Sequence, residues 1–199
     1  MYKRQCAANV RTLLADFAPG DELADLHQVH GCDVVTPGDG PRPDADGIVT
    51  DRPGVVLMVR AADCVPVLLA DAEAGVVGAA HAGRPGLAAA VVPATLARMR
   101  DLGASAVTAW IGPHVCGACY EVPAEMRDEV GALVPESVAT TSWGTPSLDL
   151  GAGVRAQLAT EGVTVVDAAR CTRESGDLFS YRRDGRRAGR QAGLVRIRP

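Results

Sequence analysis

The chain has 199 residues, 47% of them hydrophobic and 22% charged, with a formal net charge of −4. This composition excludes a disordered chain, and the lack of a long basic run argues against nucleic acid as a partner. Asp63 and Asp71 interrupt the longest apolar stretch, so nothing reaches the roughly 18 apolar residues that span a bilayer. No signal-peptide core opens the sequence. No membrane partner is expected, and the location is predicted as cytoplasmic.

In chain order, "MYKRQ" is short and polar and runs straight into a helical pattern. Residues 1–5 are read as a sequence-assembly scar, with native residues expected before them. Val10, Leu13, Leu14 and Phe17 recur at helical spacing and predict a helix over residues 9–17 with one buried face, ended by Pro19-Gly20. "ADLHQVHGCDVVT" reads as a strand with a turn at Gly31, and residues 37–43 as a Gly/Pro loop. Apolar runs predict strands at 47–50, 55–59, 65–70 and 76–80, with a turn at 73–75. A helix follows from Pro85, which suits a first turn. Pro93 should kink that helix or mark its true start, and Gly103 should stop it. "AVTAWIGP" is a strand, 124–133 and 150–161 are helices, and "VTVVD" is a last strand before an arginine-rich segment. Strands and helices do not alternate strictly. The fold class is therefore α+β: three layers, mixed β-sheets covered by helices, in a single domain.

There are six cysteines and four histidines. With no export signal the cysteines are read as reduced thiols. On a strand, His27 and His30 point to opposite faces, so only one looks into a given site. His30, before the turn at Gly31, is the better aimed, and His27 is read as structural. Cys64 precedes one apolar run and His81 follows the next. Alone, each reads as a buried residue; together with His30 they make a set of two imidazoles and a thiolate. Three protein ligands with a fourth place open is the pattern of a catalytic zinc. The same set also suits blue copper, although a multicopper cluster needs more histidines than remain. Cys116 and Cys119 form a single CxxC. A structural zinc site asks for a second pair, so two half-buried thiols in a turn is the simpler reading. Arg84 and the helix start near Pro85 are candidates to hold an anion. The basic–aromatic segment "CTRESGDLFSYRRDGRRAGR" reads either as a grip on a base or phosphate or as a solvated edge.

The motifs "QVHG", "DADGIVTD", "AADCVPVLL", "GAAHAG", "WIGP…CGACYEV", "LDL" and "CT…DLFSYRRDG…GRQ" resemble the laccase-domain family. It is also called the multicopper polyphenol oxidase or YfiH-like family, and its members are regarded as purine nucleoside phosphorylases. The likeness covers about residues 26–192, in the family's order, and implies one such domain over residues 6–199 without the family's usual Gly-rich N-terminal segment. It implies one metal, zinc or alternatively copper, held by His30, Cys64 and His81. It implies phosphorolysis of adenosine, inosine, guanosine and methylthioadenosine, with adenosine deamination as a second activity. Two departures stand out. Arg84-Pro85-Gly86 occupies the place where many members have Trp-Arg-Gly, and Ala188 stands where threonine is expected.

On this reading Asp63 and Arg84 are the catalytic candidates, Asp63 for proton transfer or support of the ligand beside it. Arg84, Arg182 and Arg183 are the substrate contacts. Purine nucleosides and phosphate are the expected partners, and the chain is expected to act as a monomer. A copper-dependent oxidase of phenols and a non-catalytic metal or thiol protein remain as alternatives.

Overall fold

The structure, a computed structural model, describes residues 2–38 and 42–198, with only the backbone described for residues 2–6. Part of the loop expected at 37–43, and Met1 of the segment read as a scar, lie outside the described residues. Helix α1 (Tyr2–Phe17) starts earlier than its apolar spacing indicates. Its expected buried face is mostly solvated: Leu13 and Phe17 are exposed, and Val10 and Leu14 half-buried. The helix is moored at its C-terminal end instead, by buried Ala18 and by Arg196, which stacks over Phe17 and pairs with Asp21 at 2.6 Å.

The strands are β1 (Glu22–Asp25), β2 (Val34–Val35), β3 (Gly47–Thr50), β4 (Val55–Ala61), β5 (Val65–Asp71), β6 (Val76–Ala82), β7 (Thr108–Ile111), β8 (Val138–Thr140), β9 (Pro146–Leu148), β10 (Thr164–Asp167) and β11 (Gln191–Arg196). Six form one mixed sheet in the order β10-β7-β5-β6-β3-β2, three form a second in the order β1-β4-β11, and β8 pairs with β9. The remaining helices are α2 (Arg84–Ala88), α3 (Val91–Asp101), α4 (Ala124–Leu133), α5 (Leu150–Thr160) and α6 (Tyr181–Asp184).

Three layers result, as the sequence predicts. Val65, Val67 and Leu69 of β5 share one core with α3 and α5, while Leu68 and Ala70 pack with β4 and β11 on the other face. A strand buried on both sides still obeys the two-residue alternation, which is why these runs look uniformly apolar in the sequence. Gly78 lets α3 come close: a β-carbon there would lie 2.8 Å from the Met99 sulfur.

The helix expected from Pro85 is two helices. Ala90 adopts φ 60° and breaks the chain between α2 and α3, and Pro93 falls in the first turn of α3, so the proline marks a start rather than a kink. The segment expected as a strand around His27 and His30 is a loop between β1 and β2, with His30 at φ 64°. The hairpin β8–β9 and strand β11 were not legible, because their short runs carry polar and small residues. Among the described residues all five cysteines are free, and no helix is long and apolar enough to cross a membrane.

Candidate metal centre and its cavity

Strands β5 and β6 are antiparallel neighbours, so the start of one meets the end of the other: Pro66 is the register partner of His81. This pairing brings Cys64, just ahead of β5, beside His81, near the end of β6. The β1–β2 loop supplies His30. One ligand atom from each of the three lies within 4.8 Å of the others, and Cys64 Sγ is 3.8 Å from His30 Nε2. The His30 and His81 rings meet edge to face at 4.9 Å. A β-carbon on Gly83 would sit 2.6 Å from His30 Cδ2 and 3.1 Å from Cys64 Sγ, so the cluster closes only over a glycine.

Asp46, wholly buried just ahead of β3, organises two of the three. Its Oδ1 is 2.7 Å from His81 Nδ1, which leaves Nε2 facing the cluster. Its Oδ2 accepts hydrogen bonds from the backbone N–H groups of Val29, at 3.0 Å, and Gly31, at 2.7 Å, fixing the peptides on both sides of His30. A carboxylate behind a ligating imidazole is the usual support of a metal-binding histidine. Burial raises the Asp46 pKa, but the bonds from His81, Gly31 and Val29 bring it below the ordinary range. Burial also opposes ionisation of Cys64, yet His30 and His81 outweigh it and bring the thiol down to about 6. Burial pulls His81 down, and Asp46 and Cys64 together push it up to about 9. Two imidazoles and an ionisable thiol on one point fit a divalent zinc or copper ion.

The cluster opens into a cavity of about 650 Å³, a size suited to a small-molecule ligand. Its wall includes His27, Gln28, Tyr120, Tyr181 and five arginines: Arg42, Arg60, Arg84, Arg182 and Arg190. Both His27 and His30 line it, since the loop voids the strand-parity expectation. His27, exposed and 2.6 Å from Asp44, stands at the rim. Among the described residues Arg84 alone of the five has a guanidinium with no protein hydrogen bond or ion pair. Helix α2 has only five residues and Pro85 lacks an N–H, so the expected cradle of backbone donors reduces to the Arg84 side chain. The Arg182 guanidinium stacks 4.3 Å over the Tyr120 ring and donates to Glu121 O at 2.7 Å. Burial pushes the Tyr120 hydroxyl up against the opposing pull of Arg182.

One expectation is corrected, Arg183 as a substrate contact, and Asp63 stands in the supporting arrangement that is one of its two expected roles. Asp63, buried at φ 90°, has both carboxylate oxygens engaged: Thr172 Oγ1 donates to one at 2.6 Å and the Arg182 N–H to the other at 2.7 Å. It braces the C-terminal segment against the site, and each of its oxygens already accepts a hydrogen bond. Arg183 turns away from the cavity and donates to the carbonyls of Thr172, Ser175 and Leu178, stitching that segment together.

Residues 2–198 match the family described as multi-copper polyphenol oxidoreductase laccase. The chain belongs to this family. Purine nucleoside phosphorylase SCO2081 of Streptomyces coelicolor is 56% identical over 179 residues, covering 85% of this chain and 73% of that protein. Adenosine deaminase RL5, from an unknown prokaryotic organism, is 31% identical over 194 residues, covering 85% and 73%. The crystal structure of Neisseria meningitidis protein NMB0706 superposes with a TM-score of 0.84 at 35% identity, covering 95% of this chain and 80% of that one.

Within this laccase-like chain, sequence reasoning missed Asp46, Thr172, Gln28 and Tyr120. Asp46 sits in "DADGIVTD" and Thr172 in "CT", motifs recognised as family signatures without a role for each residue. Gln28 exchanges two hydrogen bonds with the backbone of Arg60, at 2.7 and 2.9 Å, and ties the histidine loop to the end of β4. Nothing in the local sequence announces that pairing.

Proposed function

We propose that this chain is a purine nucleoside phosphorylase working in the arginine-lined cavity, with a zinc ion (copper being the alternative) held by His30, Cys64 and His81. The observation that carries the reading is the guanidinium of Arg84, which among the described cavity arginines has no protein partner and faces the cavity that contains the ligand cluster. A phosphate ion needs such a donor, and an arginine fork matches its oxygens. The Tyr120–Arg182 stack and the exposed Tyr181 ring supply flat surfaces suited to a purine.

In phosphorolysis a phosphate oxygen bonds to ribose C1′ as the bond from C1′ to the purine nitrogen breaks. The products are ribose 1-phosphate and the free base, which takes the proton that hydrogen phosphate brings. Arg84 orients the phosphate and offsets its charge. Arg182 and Tyr120 orient the base, and Asp63 holds the Arg182 backbone in place. A bound divalent ion supplies Lewis acidity toward a substrate oxygen or nitrogen. Adenosine deamination at the same site is a second activity on this reading, supported by the relative named adenosine deaminase.

The test incubates adenosine and inosine with the metal-loaded enzyme, with and without inorganic phosphate. Ribose 1-phosphate and free base should form only when phosphate is present. Arg84→Ala should raise the KM for phosphate at least tenfold, the loss of one charge-assisted contact of about 1.5–3 kcal/mol. Phenol-dependent uptake of dioxygen with no release of base would reject the proposal in favour of oxidase chemistry.

A further inference from the structure

A second cluster of soft ligands lies apart from the cavity. Cys116 and Cys119 occupy the loop after β7, and Cys171 and Glu174 the loop after β10. One ligand atom from each lies within 4.8 Å of the rest, and Cys119 Sγ is 3.4 Å from Glu174 Oε1. In a tetrahedral zinc site with Zn–S near 2.3 Å, two sulfurs are about 3.8 Å apart and a sulfur and an oxygen about 3.5 Å. The sulfurs therefore need to close on one another by at most about 1 Å, and on the carboxylate oxygen by at most about 1.3 Å.

The sequence spacing agrees with the geometry. Cys116-Gly-Ala-Cys119 and Cys171-Thr-Arg-Glu174 are two pairs of the same x2 spacing, the second ending in a carboxylate. A lone CxxC is weak because zinc needs a second pair; the fold provides one. The loops are also set in register by backbone bonds that need no metal. His114 N donates to Arg170 O at 3.1 Å and Thr172 N to His114 O at 3.0 Å. The Cys116 N–H points at Cys171 Sγ at 3.5 Å, and Cys119 N closes a turn on Cys116 O at 3.0 Å. N–H groups directed at sulfur stabilise the thiolates of a metal knuckle. Arg173 Nη1 donates to Cys119 O at 3.1 Å, a further tie between the loops.

We propose that Cys116, Cys119, Cys171 and Glu174 form a second, structural zinc site that fastens the C-terminal segment to the β7 loop. That segment carries Thr172 and Arg182, the two partners of Asp63, and the β7 loop leads into Tyr120. The second ion would thus lock one wall of the cavity without touching what binds there. With all four positions filled by protein it has no place for substrate.

The experiment is a metal count. Wild-type protein purified in zinc-supplied buffer and desalted should carry two zinc equivalents per chain. Cys119→Ser should carry one, and so should a variant lacking the other cluster (His30→Ala, Cys64→Ser, His81→Ala). In that last variant, added cobalt(II) should give thiolate-to-cobalt charge-transfer absorption, for which the second cluster is the remaining group of ligands among the described residues. The wild-type count needs no variant to fold. No zinc retained by the triple variant, no cobalt–thiolate band in it, or an intact mass lighter by the two hydrogens of a disulfide between two of these cysteines would each overturn the proposal, and a single equivalent in the wild type that the triple variant keeps would count against the first cluster instead.

Discussion

A methyl group at residue 83 would collide with two side chains of the candidate metal cluster and with nothing else of consequence. Gly83 has an ordinary φ of −76°, so Gly83→Ala strains no backbone and deletes no ligand. It should still weaken zinc binding at the His30–Cys64–His81 cluster, read by competition with a chromogenic chelator. Asp46→Asn should weaken it by about 10–100-fold, the usual cost of losing a ligand's carboxylate support. Wild-type affinity in both variants would mean that the three side chains do not share an ion. Asp63 gives a different signature. Asp63→Ala removes both acceptors, leaves the buried Thr172 hydroxyl and the Arg182 N–H unpaired, and should cost about 1–3 kcal/mol of stability. Because it loosens the segment carrying Arg182, KM for the nucleoside should rise more than kcat falls. A fall confined to kcat, with a shifted pH profile, would restore Asp63 to proton transfer.

The legibility of the elements followed their burial. Strands β3 to β6 and helices α4 and α5 were readable because long apolar runs and a 3.6-residue period are imposed by a core on one or both sides. Strand β11 was not, since "QAGLVR" is half-buried and is the edge strand of its sheet, paired with β4 alone. The trio of ligands was readable as residue types at strand ends. Asp46 was not, because its work is to join two segments that are close only in space. Asp71 shows the same limit. From the end of β5 its two oxygens accept from Glu73 and Ala74 at 3.0 Å each, and from Ser105 at 2.7 Å and Ala106 at 2.8 Å. It thereby pins the β5–β6 turn to the loop before β7. The bonds from Ala74, Ala106 and Ser105 hold its pKa down to about 2, against 3.8 unfolded. A lowered folded pKa means stability that is complete above pH 4 and lost as pH falls toward 2. Asp71→Asn should lower Tm at neutral pH and flatten the dependence of Tm on pH between 4 and 2. Parallel curves for the two proteins would contradict this.

Across the whole molecule, the two sheets and the helical layer meet a C-terminal segment that serves both stability and the site. Strand β11 pairs with β4 along its length, and Gly193 lies against Leu68. Removing residues 191–199 would leave β4 as an open apolar edge, and the sharp calorimetric transition should be lost. The neighbours Asp63 and Cys64 divide their loyalties: the cysteine faces the histidines, while the aspartate reaches over a hundred residues ahead to Thr172 and Arg182. A polypeptide clipped before Thr172 would lose both partners of Asp63 and strand β11 with them, so one cut would strike the cavity wall and the fold at once. Proteolysis near that point should therefore cost the cooperative melt and the affinity of the histidine–cysteine cluster for zinc together, since that cluster exists only in the folded chain.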